Sequence, residues 1–251
     1  MSPPKVHVSI LFGLLLFLFS SLSIAKPTLK IGILEFPPFS YFEENNAVLT
    51  GSIVELTRRV FDEAGYKTEF IILPFARSIA AAESGEVDIC GMLNAATSEV
   101  LQLSKSSVGE LRQTFYVRSS NDWAYQNIDS LTGLSVINVS SYNYASISSE
   151  YQDFLLNDKN VVNISSSPDY LKRIVAMIEN GRADVFNEAS DVMEHQLQVL
   201  GAKDKIKAAG TLGSPLKLFI GARPNKKGVK ILEDFDKAFK TLHSKDQIII
   251  N

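Results

Sequence analysis

The residues best suited to recognition chemistry fall in two predicted clusters. Asn187 and Glu188 end a predicted strand and supply an amide and a carboxyl. Tyr142 and Tyr144, beside Ser140, Ser141 and Asn143, lie between another strand and its helix. Hydroxyls and free backbone N–H groups at a helix N-terminus can hold a carboxylate or phosphate; the serines and asparagine can equally serve only as caps. Glu188 is alternatively an ordinary first-turn acid that complements its helix dipole. Arg77 sits on the first turn of a helix that follows a strand. There a guanidinium can clamp an anion or close a surface ion pair. Phe36, Phe39 and Tyr41 follow the first strand and offer aromatic faces to a planar or apolar ligand, or to the core. Covalent and metal chemistry is poorly served. His195 and His243 form no His-x-x-x-His pair, and Ser-x-x-Lys and Gly-x-Ser-x-Gly motifs are missing. Cys90 is the only cysteine, so no internal disulfide or multi-cysteine site can form. In the apolar run Val87 to Cys90 it reads as a small buried hydrophobe.

The elements that must carry these side chains alternate between strand and helix. Leu29 to Leu34 reads as a strand stopped by Pro37-Pro38. Ile53, Leu56, Val60 and Phe61 then recur at helical spacing up to Gly65. Strand Tyr66 to Leu73, helix Phe75 to Ser84 and strand Val87 to Leu93 follow, an order that implies a parallel sheet covered by helices. Leu111 to Ser119 is extended, and the pattern then restarts: strand Leu134 to Val139, helix Asn143 to Leu156, strand Asn160 to Ile164, helix Pro168 to Asn180, strand Ala183 to Asn187, helix Glu188 to Leu200. Strand Leu216 to Ala222 and helix Val229 to Leu242 remain to complete either half. Glu83-Ser84-Gly85-Glu86-Val87-Asp88-Ile89 returns 96 positions later as Glu179-Asn180-Gly181-Arg182-Ala183-Asp184-Val185. In each copy the glycine can end a helix in the left-handed conformation and the aspartate can order the turn. Asp88 and Asp184 are therefore expected to be scaffold. Two α/β lobes with a cleft between them follow. Trp123 is expected to pack between the lobes.

The N-terminus reads as a secretory signal peptide: Lys5 and His7, the apolar run Ile10 to Phe19, and a cleavage site after Ala25. That run is shorter than the ~20 residues a membrane span needs. With 25 basic and 28 acidic side chains dispersed along the chain, the basic footprint of nucleic-acid binding is missing. The expected product is periplasmic, monomeric and free of cofactors.

The ordered set Phe36-Pro37-Pro38-Phe39-Ser40-Tyr41, Leu49-Thr50-Gly51-Ser52-Ile53-Val54-Glu55-Leu56, Gly85-Glu86-Val87-Asp88, Thr97-Ser98-Glu99, Leu131-Thr132-Gly133-Leu134-Ser135-Val136 and Gly181-Arg182-Ala183-Asp184 resembles the bacterial extracellular solute-binding proteins of family 3, receptors of polar amino-acid ABC transporters. The resemblance implies a type II periplasmic-binding fold with two hinge strands. Residues 26–117 and 212–251 would form lobe one and 118–211 lobe two. It also implies closure around a small molecule, delivery to an ABC permease, and no catalysis. A ligand-sensing module docking on a separate membrane receptor is the alternative, and an exported enzyme on the same fold a further one. Where α-amino-acid binders carry the arginine of Thr-x-x-Arg, this chain has Val100; where they carry small polar residues at the preceding strand end, it has Met92, Leu93 and Ala95. Met92 and Asn94 are candidate ligand contacts of lobe one. The acid that receives the ligand's ammonium in lobe two is replaced by Ala189, with Glu188 adjacent.

Overall fold

The computed structural model describes residues 26–43, 48–95, 99–140, 142–167 and 169–248; the expected signal peptide, Thr97, Ser98 and Ser141 lie outside them. The chain runs β1 (Thr28–Ile33), β2 (Tyr41–Phe42), β3 (Leu49–Thr50), α1 (Ser52–Glu63), β4 (Lys67–Ile72), α2 (Phe75–Ser84), β5 (Ile89–Leu93), β6 (Gln102–Leu103), β7 (Gly109–Leu111) and β8 (Gln113–Arg118). It continues through a short 3-10 turn (Ile128–Leu131), β9 (Val136–Val139), α3 (Ser149–Asn157), β10 (Val161–Ile164), α4 (Tyr170–Glu179), β11 (Val185–Ala189), α5 (Ser190–Val199), β12 (Ile206–Thr211), β13 (Leu216–Ala222) and α6 (Lys226–Ser244).

Two sheets result. The first has the order β4-β1-β5-β13-β6, with β7 pairing to β13; the second has the order β10-β9-β11-β8-β12. Within each sheet the β-α-β units are parallel, and the strands that arrive from the other half, β13 and β8, join antiparallel. The two-lobed α/β architecture is therefore present, with its last strand and last helix in the first lobe. The crossing from first to second sheet falls at Arg112. Gln113 to Val117 pair with β11 and β12, so this strand is part of the second sheet. An extended run of one composition hides a change of partner, because pairing is a tertiary choice. The return crossing, residues 212–215, runs beside it, with Leu212 N–H donating to the Gln113 carbonyl at 2.9 Å.

The twin corners do the same work in both lobes. Asp88 N–H donates to the Lys30 carbonyl while its carboxylate accepts from Lys30 N–H at 3.0 Å. Asp184 N–H donates to the Ser135 carbonyl while its carboxylate accepts from Ser135 N–H at 2.8 Å. Gly85 and Gly181 both have positive φ, 87° and 68°, which glycine takes without strain. Each aspartate thus pins the start of β5 or β11 to the start of its parallel neighbour.

Core packing follows the helical stripes. Phe61 of α1 and Phe235 of α6, both fully buried, meet at 5.0 Å between ring centroids and hold the C-terminal helix on the first lobe. In the second lobe Trp123, Tyr125 and Tyr151 gather around the Phe115 ring, and the Trp123 Nε1–H donates to the Ser130 carbonyl at 2.9 Å. Trp123 therefore packs inside the second lobe, not between lobes. A larger apolar cluster includes Ile33 and Met92 of the first lobe together with Ile137, Phe186 and Met193 of the second.

Candidate functional site

Parallel strands deliver their C-terminal ends to one edge of a sheet, and ligands of open α/β folds bind there. In the second lobe that edge adjoins the crossings: Ala189 is paired with Gln113, and Ser190 N–H donates to the Arg112 carbonyl at 2.9 Å. In the first lobe the same edge carries the turn after β1. Phe36 and Phe39 face each other there at 5.5 Å, and the Phe36 carbonyl accepts from the N–H groups of Phe39 and Ser40. The turn is fixed by α1, whose first N–H groups, on Ser52, Ile53 and Val54, donate to the carbonyls of Pro38 and Phe39. Gly51 enters that helix at φ 121°, and a Cβ there would strike the Phe39 backbone. Tyr41, half-buried, then reaches the second lobe, its ring 5.4 Å from that of His195 on α5.

Near the end of β11 lies a buried acid. Glu188 is 2% exposed. Its Oε1 accepts the Ala189 N–H at 2.8 Å, and its Oε2 lies 2.8 Å from the Tyr142 hydroxyl and 3.3 Å from the Tyr170 hydroxyl. The two hydroxyls are 2.5 Å apart. Burial pushes the Glu188 carboxyl up to about 7, against the lowering effect of those hydrogen bonds. Tyr142 and Tyr170 are themselves raised above the ordinary phenol range, by burial first and by the Glu188 charge second. Tyr142 and Tyr170 are half-buried, so the tyrosines, not the acid, present the wall.

Several expectations change at this point. Asn187 and Glu188 lie inside β11 rather than at its end, and Glu188 is not in a helical first turn, because α5 starts at Ser190. Successive strand residues point to opposite faces. Asn187, opposite Phe115, therefore turns to the face away from Glu188, and its fully buried amide has no protein partner. Tyr144 is buried too and donates its hydroxyl to the Asn187 carbonyl at 2.9 Å. These two residues belong to the interior of the second lobe. The helix expected from Asn143 starts at Ser149, capped by Ser148, whose hydroxyl accepts from Tyr151 N–H at 3.1 Å. The Gln152 carboxamide oxygen holds Tyr144 N–H at 2.7 Å and keeps the preceding turn out of the helix. No helix N-terminus lies at Tyr142 to offer an anion site.

Arg77 is also diverted. Its guanidinium pairs with Glu86 at 2.5 Å, beyond the far end of α2, with both side chains about half exposed. Arg77→Ala is accordingly expected to leave the affinity for any ligand within about twofold, since an exposed pair contributes about 0–1 kcal/mol; calorimetric titration checks this. Met92 is 4% exposed and part of the apolar cluster. It adopts φ 57°, a left-handed conformation that disfavours side chains, at the end of β5. Asn94 follows, half-buried. Val100 is 42% exposed. Cys90 is buried with its Sγ 3.2 Å from the Ser78 hydroxyl, and burial pushes its thiol up to about 11, so it is inert. No group of three or more potential metal ligands occurs among the described residues.

Among the predicted residues, Phe36 packs on Phe39 and Tyr41 meets His195, while Tyr142 and Glu188 are joined by hydrogen bonds and share Tyr170. Tyr170 escaped sequence reading although it opens a helix after a strand, the same position that singled out Arg77. His195 had been weighed only as a metal ligand.

Comparisons with known proteins agree with the two-lobed fold. The ytmK protein of Bacillus subtilis, described as the extracellular-binding protein of a probable amino-acid ABC transporter, superimposes with a TM-score of 0.70 at 20% identity, covering 88% of this chain and 93% of that one. An ancestral arginine-binding protein bound to arginine gives 0.66 at 21% identity, over 89% and 95%. A histidine kinase sensor domain with similarity to periplasmic binding proteins gives 0.67 at 15%, over 89% and 93%. A search of curated proteins returns no match. The family model for bacterial extracellular solute-binding proteins, family 3, matches residues 29–248, and the chain belongs to that family.

Proposed function

We propose that this protein is an exported receptor, without enzymatic activity, that captures a small molecule between its lobes and presents the closed form to an ABC permease. Two observations support this reading: Tyr41, in the turn region after β1, meets His195 of the second lobe, and Tyr142 and Tyr170 gather over Glu188 at the strand ends of that lobe. Ligand contacts available only when both edges close shift an open-closed equilibrium. Residues 26–112 and 216–248 form the first lobe and 113–211 the second, acting as a monomer after removal of residues 1–25 in the periplasm. Asn94 and Met92 border the first-lobe edge. The likeness to a kinase sensor domain supports a second reading, in which the closed form docks on a separate membrane receptor.

Thermal-shift screening of the mature protein against amino acids, polyamines, dicarboxylates, sugars and aromatic acids tests the reading, since a ligand bound only by the native state raises Tm. At least one class is expected to raise it. Glutamine and lysine are expected not to, because their carboxylate meets Val100 and a diverted Arg77 instead of a guanidinium clamp. Micromolar binding of either would overturn that exclusion, and no response to any class would overturn the receptor reading.

A further inference from the structure

Proton counting at the second-lobe wall goes one step further, resting on the receptor reading above. Three oxygens, Tyr142 Oη, Tyr170 Oη and Glu188 Oε2, stand in mutual contact at 2.5, 2.8 and 3.3 Å. Two phenols carry two protons, and three contacts need three. With an ionised Glu188 the 3.3 Å contact to Tyr170 is left without a proton of its own. A carboxylic acid supplies the missing proton on Oε2, and Oε1 is left as the carbonyl that accepts the Ala189 N–H. Surroundings agree with a neutral group. Tyr142 and Tyr144 face it from the segment after β9, Tyr170 from α4 and Tyr116 from β8. Asp191 and Glu194 on α5 add negative charge near Tyr116. None of the ion pairs among the described residues involves Glu188.

In a closed ring of this kind every hydroxyl proton points inward, and each phenol has one lone pair left for the cleft. The wall is then an uncharged acceptor set against aromatic faces, and no arginine is paired into it to balance an anion. We infer that this site takes an organic cation with N–H donors and no carboxylate, and exchanges a proton for it: the ammonium donates to the phenol oxygens, the Glu188 Oε2–H bond breaks, and that proton leaves to solvent. One positive charge enters and one departs, so the buried site never holds an unmatched charge.

The test uses primary-amine probes, putrescine and tyramine, beside the uncharged butanediol and tyrosol. Calorimetry in two buffers of different ionisation enthalpy is expected to show amine binding with release approaching one proton at about pH 6. Affinity should rise about tenfold per pH unit up to about pH 7 and level off above it. Glu188→Gln keeps the size and neutrality of the group, and is expected to bind the amines at least about tenfold more weakly at about pH 8, with no proton release and no pH dependence. Tyr170→Phe, which removes one ring oxygen, should also weaken the amines. Infrared difference spectra between about pH 5.5 and about pH 8.5 should show a protonated carboxyl band that Glu188→Gln abolishes; without that band the inference falls whatever binds. Amine binding without proton release overturns it as well. Binding of sugars, dicarboxylates or the uncharged probes but of no amine overturns this inference alone, whereas a protein that binds nothing in either panel overturns the receptor reading with it.

Discussion

Phe235→Ala is expected to lower the unfolding free energy of the first lobe by about 3–5 kcal/mol, the range for removing a fully buried phenylalanine. The ring is 0% exposed and touches Phe61 at 5.0 Å and Phe239 at 6.1 Å between centroids. It is also the middle of the stripe, with Ile231, Leu232, Ala238, Phe239 and Leu242, by which α6 covers the first lobe. The surrounding helices can collapse only partly into the space, because α6 is tied at other points. Tyr66 donates its hydroxyl to Asp234 at 2.6 Å, and the Asp236 carboxylate accepts from the N–H groups of Lys105 and Ser106 at 2.9 and 2.8 Å. Urea unfolding followed by tyrosine fluorescence and far-UV circular dichroism measures the loss. Val199→Ala, at a residue 64% exposed, is the control and should stay within about 0.5 kcal/mol. A loss below about 1 kcal/mol for Phe235→Ala would mean that the last helix is not integral to the lobe.

The second large effect is a pH dependence of stability set by Glu188. Its carboxyl has an ordinary value of 4.5 and is pushed up to about 7 by complete burial, so between those values the folded chain holds a proton that the unfolded chain has released. Stability from this group is fully present below about pH 4.5 and is lost as the pH rises through about 7. At about 1.4 kcal/mol per unit the loss amounts to about 3 kcal/mol. Glu188→Gln cannot ionise, so the stability difference between mutant and wild type should grow in favour of the mutant by that amount from about pH 4.5 to about pH 8 and then stay level. Denaturant titrations across that range read it directly. A constant difference would mean that Glu188 is ionised throughout, and would remove the proton from the tyrosine ring.

Much of the scaffold was legible because its signals are local. The helix Phe75–Ser84 and the strand Leu216–Ala222 are found at the boundaries their patterns predict, the first between a proline and a left-handed glycine and the second as an apolar run broken only by Lys217. Gly85 and Gly181 mark helix ends by conformation alone. The site was less legible, because it depends on which sheet face a residue occupies and on partners far along the chain. A shift of two residues in the start of α5 moves Glu188 from an exposed helical turn to a buried strand. The same shift turns a presumed neighbour, Asn187, to the opposite face. Arg77 carried a correct local prediction, first turn of a helix, but a long side chain can swing either way along that helix and its partner Glu86 could not be chosen from periodicity. Tyr142 and Tyr170 are 28 positions apart, and only the parallel pairing of β9 with β10 brings the segments that follow them together.

The paired aspartates, Asp88 and Asp184, stitch strand beginnings, whereas every candidate contact gathers at strand endings. Each lobe is thus braced at the end of its sheet away from the candidate contacts. Substitutions among Phe36, Tyr41, Tyr142 and Tyr170 leave that bracing untouched, so selection can rewrite what the protein recognises while inheriting how it folds. A lineage built this way changes its diet without rebuilding its frame.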